Sequence, residues 1–325
     1  MRKMMKDPGG KTAKPRKERK PMDTYFSGLA TEAVNPATAA IDRCTTEEMV
    51  SLINGQDQLV AAAVGREKAH IAQAVDLIHG KLLQGGRLIY IGAGTSGRLG
   101  VLDASECMPT FGVSPELVQG HIAGGDTALR CPVEGAEDSG EAGAALIERL
   151  NVTDRDALVG ITASGSAPYV LAALYRAKEK GAAVIGLCTN AHSKLADICE
   201  VTIAPEVGPE VILGSTRMKS GTAQKMVLNM LSTCVMIKMG KVYGNLMVDL
   251  QATNKKLRDR AKRLVCQAAG ASEEQAAAAL EQAGFQVKTA ILMLKAHLSA
   301  EEAREALTAC GGMLRDAITK YSQEE

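Results

Sequence analysis

Residues 87–97, RLIYIGAGTSG, constrain this chain more than any other stretch. Positions 87–91 form a short, mostly apolar run of β-formers that reads as a buried strand. Gly92, Gly94 and Gly97 then let the backbone turn and approach a ligand closely. A helix opening directly from such a loop presents unpaired amides and a positive dipole end, which suits an anion such as phosphate. Thr95 and Ser96 add two hydroxyl donors. The same spacing fits GxGxxG, the dinucleotide fingerprint. That alternative asks for a long uninterrupted helix after the loop and an acidic residue closing the next strand about 20 residues on. Met108, Pro109 and Gly112 break the following segment, and the next strand, near 117–123, ends in Gly124 and Gly125, with Asp126 late. Spacing alone leaves both readings open, and hydroxyls inside the loop favour a compact phosphomonoester.

Downstream, the pattern repeats as strand, loop of small polar residues, helix. Residues 157–162 (ALVGIT) feed 163–168 (ASGSAP) and a helix over 169–179; 183–188 (AVIGLC) feed 189–193 and a short helix; a last strand falls near 201–204. Continuous apolar strands alternating with helices predict an α/β fold with a parallel, doubly wound sheet flanked by helices, its ligands at the carboxyl ends of the strands. Thr95 and Ser96 would then share an edge with Ser164 and Ser166 and converge on one phosphate. Upstream, TTEE at 45–48 has capping-box spacing for a short helix that Gly55 ends, and 58–83 reads as a long helix stopped by Gly85 and Gly86. Capping-box pairs Ser272/Gln275 and Ser299/Glu302, with stops at Gly270, Gly284 and Gly311, predict a bundle of short helices. The expected division is a basic tail over 1–22, a sheet domain over 23–257 and a small C-terminal all-α subdomain over 258–325.

Residues 214–225, GSTRMKSGTAQK, open another long helix. Arg217 and Lys219 near its start oppose the helix dipole, so an anionic partner held with Ser215 and Thr222 would explain them. The alternative is a solvated first turn.

Composition narrows the partners. Hydrophobic residues are 46% of the chain, but aromatics only 3% with no Trp, so the core is built from Ala, Leu, Ile, Val and Met, and base-stacking platforms are not expected. No apolar run approaches a bilayer span, and the basic N-terminus lacks a signal peptide's apolar stretch, so a cytoplasmic protein without a membrane partner is expected. Eight scattered cysteines, with no CxxC and no histidine cluster, argue against zinc and for buried reduced thiols, Cys107 among them as a packing residue. Residues 1–20 carry nine Lys or Arg against Asp7 and Glu18, a net of +7 in a chain whose total is +1. This tail reads as disordered, and since the body has no matching basic patch, no nucleic-acid partner is expected.

Two acidic segments follow the glycine loop, DASECMP at 103–109 and EGAED at 134–138. Glu106, at a loop-flanked helix end beside the expected pocket, can be desolvated and so raised toward neutrality for acid or base duty; the alternative is a surface carboxylate. Glu137 precedes an Ala- and Gly-rich helix, where the alternative is a dipole partner.

Taken together, IGAGTSGRLGVLDASECMPTFG (91–112), VEGAEDS from Val133, ASGSAPYV from Ala163 and the long run from Gly214 resemble the N-acetylmuramic acid 6-phosphate etherases, of the sugar isomerase (SIS) fold. The similarity covers roughly residues 28–325. It implies a cofactor-free, metal-free lyase that splits the lactyl ether of N-acetylmuramic acid 6-phosphate into N-acetylglucosamine 6-phosphate and D-lactate, in the turnover of cell-wall amino sugars. By the family motif, Glu106 corresponds to the proton donor and Glu137 to the second active-site glutamate. Thr95, Ser96, Gly97, Ser164 and Ser166 would bind the 6-phosphate. Similar enzymes are homodimers with sites near the subunit interface, across which Arg217 and Lys219 would act, with Ser215 among the substrate-binding residues. The chain departs from the family pattern at Met108, where a proline is common, at 190–193 and at Ser166–Ala167. A non-catalytic sugar-phosphate regulator similar to the glucokinase regulatory protein is the alternative. A sugar-phosphate isomerase would release no lactate, and a transcriptional regulator would want a helix-turn-helix that a 20-residue tail cannot supply.

Overall fold

The computed structural model describes residues 28–322 except 251 and 253; the basic tail expected over 1–22 lies outside the described residues. Five parallel strands form one sheet: β1 (Leu88–Gly92), β2 (Val118–Ile122), β3 (Ala157–Ile161), β4 (Ala183–Leu187) and β5 (Val201–Ile203), in the order β2-β1-β3-β4-β5. Every residue of β1, β3 and β4 is buried, as strands covered on both faces require. The two-residue period then splits their side chains between two cores. Leu88, Tyr90, Val159, Ile161, Ile185 and Leu187 pack on one face against helices α1 (Thr46–Arg66), α2 (Lys68–Leu83), α3 (Gly94–Phe111) and α7 (Lys219–Lys238). Ile89, Ile91, Leu158 and Val184 pack on the other against α5 (Gly140–Arg149) and α6 (Pro168–Glu179). The short α4 (Thr127–Arg130) lies between β2 and α5.

Three boundaries differ from the sequence expectation. Thr45 and Glu48 do form the capping box, but Gly55 does not end the helix; it sits inside α1 with open space around it, and the break falls at Glu67 instead. There the Glu67 carboxylate accepts from the Ala204 amide and pairs with His70, turning the chain from α1 into α2. Pro109 does not break α3, which runs through it to Phe111 and ends at Gly112 in a left-handed cap. Residues 194–199 form turns and no helix. Of the cysteines, Cys107 and Cys188 are buried, Cys131 is exposed and the rest are intermediate, all of them reduced.

A third core begins at Val248. It gathers α8 (Lys255–Ala269), α9 (Glu273–Gln282), α10 (Val287–Ala296), α11 (Ala300–Ala309) and α12 (Leu314–Tyr321). Both predicted capping boxes there, Ser272 with Gln275 and Ser299 with Glu302, are formed. Asp249 pairs with Lys241 at 3.0 Å and with the buried Lys288 at 2.7 Å, linking the chain just past α7 to α10. Among the described residues no helix is long and apolar enough to cross a membrane.

The start of the sheet is fixed by one carboxylate. Asp156, 2% exposed, accepts from the Arg87 amide and Nε at 3.0 Å each, from Arg87 Nη2 at 2.8 Å and from the Thr153 amide at 2.9 Å. Burial works against its charge, but the bonds from Arg87 and Thr153 outweigh it and hold its pKa below the ordinary 3.8. A depressed pKa contributes stability that is complete above the ordinary value and is lost as pH falls through the lower, folded one. Asp156→Asn should therefore lower stability at pH 7 by about 3 kcal/mol, the low end for a broken buried pair because Arg87 is partly open to water. Chemical denaturation at pH 7 and again below pH 3 checks it: the gap between wild type and variant should narrow in acid.

Candidate functional site

A cleft of about 310 Å³ opens at the carboxyl ends of β1 and β3, where the strand order reverses. That is where the topology of an open parallel sheet leaves a crevice. Thr95 and Ser96 from the first turn of α3, directly after β1, and Ser164 and Ser166 from the loop after β3 line it together, with Thr162 beside them. The glycines explain the close approach at the first loop. A Cβ on Gly92 would lie 2.6 Å from the Gly97 amide nitrogen, and one on Gly97 would lie 2.6 Å from Ile122 Cγ1. Strand and helix meet here with no side chain between them.

Two helix starts face this cleft uncapped. Ala93 before α3 and Ala167 before α6 supply no side-chain cap, whereas α1, α9 and α11 are all capped. The leading amides of α3 and α6 are thus left for a ligand, with the two dipoles behind them. Hydroxyls complete the cradle: Ser164 Oγ and Ser166 Oγ lie 2.8 Å apart, and the Ser166 amide donates to Ser164 Oγ at 3.3 Å. The lining includes no Lys or Arg among the described residues, but it does include Glu32, Glu137 and Asp138. Glu137 is exposed, in the turn Ala136–Asp138 that precedes α5. The cleft thus offers neutral donors for an anion and carboxylates for proton transfer.

The segment expected to hold an anion through Arg217 and Lys219 is built differently. The anion at the start of α7 is the protein's own Glu210, fully buried, whose Oε2 and Oε1 accept from the Lys219 and Ser220 amides at 2.8 and 2.9 Å. Lys219 is buried, and its ammonium donates to Gln56 Oε1 and the Pro209 carbonyl at 3.0 Å each. Burial pushes that ammonium's pKa down, against the pull of Glu210 and Asp57. Arg217 is exposed, and neither it nor Ser215 lines the cleft; Gly214 and Thr216 do instead.

Glu106 is also elsewhere. It is exposed, twelve residues along α3 from Gly94, about 18 Å at a helical rise. Within one chain it neither lines the cleft nor gains the desolvation expected of it. Its helix is nevertheless firmly held. One turn earlier the buried Asp103 accepts from Tyr90 Oη at 3.0 Å, Asn229 Nδ2 at 2.9 Å and Ser232 Oγ at 3.2 Å, tying α3 to β1 and α7. Burial raises the Asp103 carboxyl pKa against these bonds, and burial together with Asp103 pushes the neighbouring Cys107 thiol up to about 12.

Several lining residues had no sequence signal. Thr31 and Glu32 reach the cleft because Asn35 donates to the Pro209 carbonyl and Thr38 to the Val211 carbonyl, pinning the N-terminal segment against the loop before α7. Gln224, 1% exposed, accepts the Ser96 hydroxyl at 2.9 Å from the second turn of α7, and its Nε2 has no partner among the described residues.

The family model of the glucokinase regulatory protein N-terminal SIS domain matches residues 70–178, and that of the SIS domain matches residues 136–233. A curated protein of Caldanaerobacter subterraneus subsp. tengcongensis named N-acetylmuramic acid 6-phosphate etherase is 53% identical over 89% of this chain and 95% of its own length. One of the same name from Serratia proteamaculans is 54% identical over 91% of this chain and 99% of its own. Among solved structures, a phosphoheptose isomerase from Francisella tularensis aligns at 20% identity with a TM-score of 0.47, over 59% of this chain and 98% of that one.

The close approach at the first loop makes a direct test. Gly97→Ala should cost about 1–3 kcal/mol, since Ile122 and the Gly92 carbonyl have to move away from the new methyl group. It should also weaken anion binding at the start of α3. Thermal melts with and without phosphate check this: phosphate should raise the wild-type Tm and shift the variant's much less.

Proposed function

The chain belongs to the N-acetylmuramic acid 6-phosphate etherase family, and from that premise we propose that it cleaves the D-lactyl ether of N-acetylmuramic acid 6-phosphate, giving N-acetylglucosamine 6-phosphate and D-lactate. The observation that carries the reading is the cleft where two uncapped helix starts and the Ser164–Ser166 pair adjoin Glu137. A phosphate dianion takes the amides and hydroxyls, which leaves the sugar against the carboxylate. The alternative, a sugar-phosphate regulator, needs the cradle but no carboxylate beside it.

The chemistry follows from the substrate. Opening the ring puts an aldehyde next to C2 and makes the C2 proton acidic. Glu137 removes that proton, the C3–O bond to the lactyl group breaks, and an acid protonates the departing ether oxygen, releasing D-lactate and an unsaturated aldehyde. Water then adds at C3, its oxygen becoming the new hydroxyl, and a proton returns to C2. No electron is lost or gained. Glu106 is the acid toward the lactyl oxygen and then the base toward water.

Glu106 reaches the sugar from a second copy. Its face of α3 carries the exposed Leu102 one turn earlier, with Met108 nearby. Helix α1 buries no residue over 46–59 and exposes Val50 and Leu59, so its first half projects from its own chain. A homodimer that covers these surfaces would bring Glu106 of one protomer to the cleft of its partner and exclude water from it. A soluble, cytoplasmic enzyme is the setting this substrate fits.

D-lactate release by the purified protein tests the reaction: Glu137→Gln and Glu106→Gln should each abolish it, and no release from wild type would leave the regulator. The dimer has its own signature. A refolded equal mixture of the two inactive variants should recover about a quarter of wild-type activity, because half the dimers are mixed and each mixed dimer holds one intact site. A mixture as inactive as its components would place both glutamates in one chain.

A further inference from the structure

A second cleft, of about 350 Å³, adjoins the first and shares Ala93, Gly94 and Glu137 with it. Most of its remaining lining is small and apolar, including Ala123, Ala128, Pro132 and Val133, and Arg98 is the single Lys or Arg lining either cleft among the described residues. Arg98 sits one helical turn past Thr95 on α3. Its Nε donates to the Leu129 carbonyl at 3.0 Å and its Nη2 to the Ala128 carbonyl at 2.7 Å. These two bonds fix the guanidinium plane and leave three of its five N–H donors uncommitted among the described residues. A half-buried guanidinium held in this way is prepared for a planar carboxylate.

We propose that this second cleft is the lactyl subsite and that Arg98 binds the lactyl carboxylate. The assignment rests on the etherase reading and extends it to the end of the substrate remote from the phosphate. N-acetylmuramic acid 6-phosphate is an anion at both ends, with the scissile ether between them. The two clefts match that order. The first holds neutral donors and two dipoles for the phosphate, the second holds one cation, and Glu137 lines both, where C2 and the C3 ether lie. The apolar part of the second cleft takes the lactyl methyl. Glu134 also lines this cleft; it is exposed, so water screens its repulsion of the incoming carboxylate. The arrangement selects for the ether: a sugar phosphate without the lactyl group fills the first cleft and leaves Arg98 unused.

Two experiments test this. In the wild-type enzyme, a substrate whose lactyl carboxylate is replaced by the carboxamide should lose roughly tenfold or more in kcat/KM, since a charge-assisted pair becomes a neutral one. Arg98→Lys keeps the charge but not the fork, and it should raise KM for N-acetylmuramic acid 6-phosphate roughly tenfold with little change in kcat. The same variant should leave inhibition by N-acetylglucosamine 6-phosphate unchanged, because that product lacks the lactyl group. The proposal is overturned if wild type turns over the carboxamide as well as the acid. It is equally overturned if Arg98→Lys weakens product inhibition as much as substrate binding, which would make Arg98 a prop for residues 128–129 alone. Absence of lactate release from the parent substrate would instead sink the etherase reading, and this subsite with it.

Discussion

Hydrogen-bonding capacity left open at two helix starts is the constraint on which the candidate site depends. Half of the twelve α-helix starts among the described residues are closed by a side chain: Thr45, Ser139, Asn254, Ser272 and Ser299 each accept from a first-turn amide, and Glu210 closes α7 with both carboxylate oxygens. At α3 and α6 the preceding residue is alanine. Leaving those amides open costs stability in the empty protein, and the strand order that reverses between β1 and β3 turns both toward one crevice. A ligand with several acceptor oxygens recovers what the fold leaves unmet.

Much of this was legible in sequence because the signals were local. The strands followed from their continuous apolar runs, the capping boxes from three-residue spacings, and the convergence of 95–96 with 164–166 from the rule that parallel strands carry their ligands at one edge. What failed was nonlocal. Gly55 looks like a helix stop, yet α1 passes through it and turns only where Glu67 finds the Ala204 amide, 137 residues away. Arg217 and Lys219 were read as cations awaiting an anionic ligand, but the anion at this helix start is Glu210, in a segment no local pattern connects to α7, and it meets the Lys219 backbone amide while the Lys219 ammonium turns to Gln56 and the Pro209 carbonyl. Thr31 and Glu32 join the site through Asn35 and Thr38, whose partners lie more than 170 residues on.

Glu106 marks a different limit. Its motif was evident, and the resemblance gave it a role, but along a straight helix it cannot stand where the phosphate loop stands. The geometry of one chain therefore leaves Glu106 away from the cleft where the proposed chemistry would need it. The exposed apolar residues around Glu106, and the half of α1 that buries nothing, are the counterpart of that separation: surface that a monomer leaves against water and a second copy would cover.

Helix α3 then has two employers. Its first turn leaves amides open toward its own cleft, and in the proposed dimer its twelfth residue beyond Gly94 would serve the cleft of the partner. Between those points it is pinned by Asp103 to β1 and α7. Held in this way, the helix keeps a separation of about 18 Å between the amides at its start and the position of Glu106. In the proposed dimer that fixed length would make α3 the ruler that sets how far apart the two clefts stand.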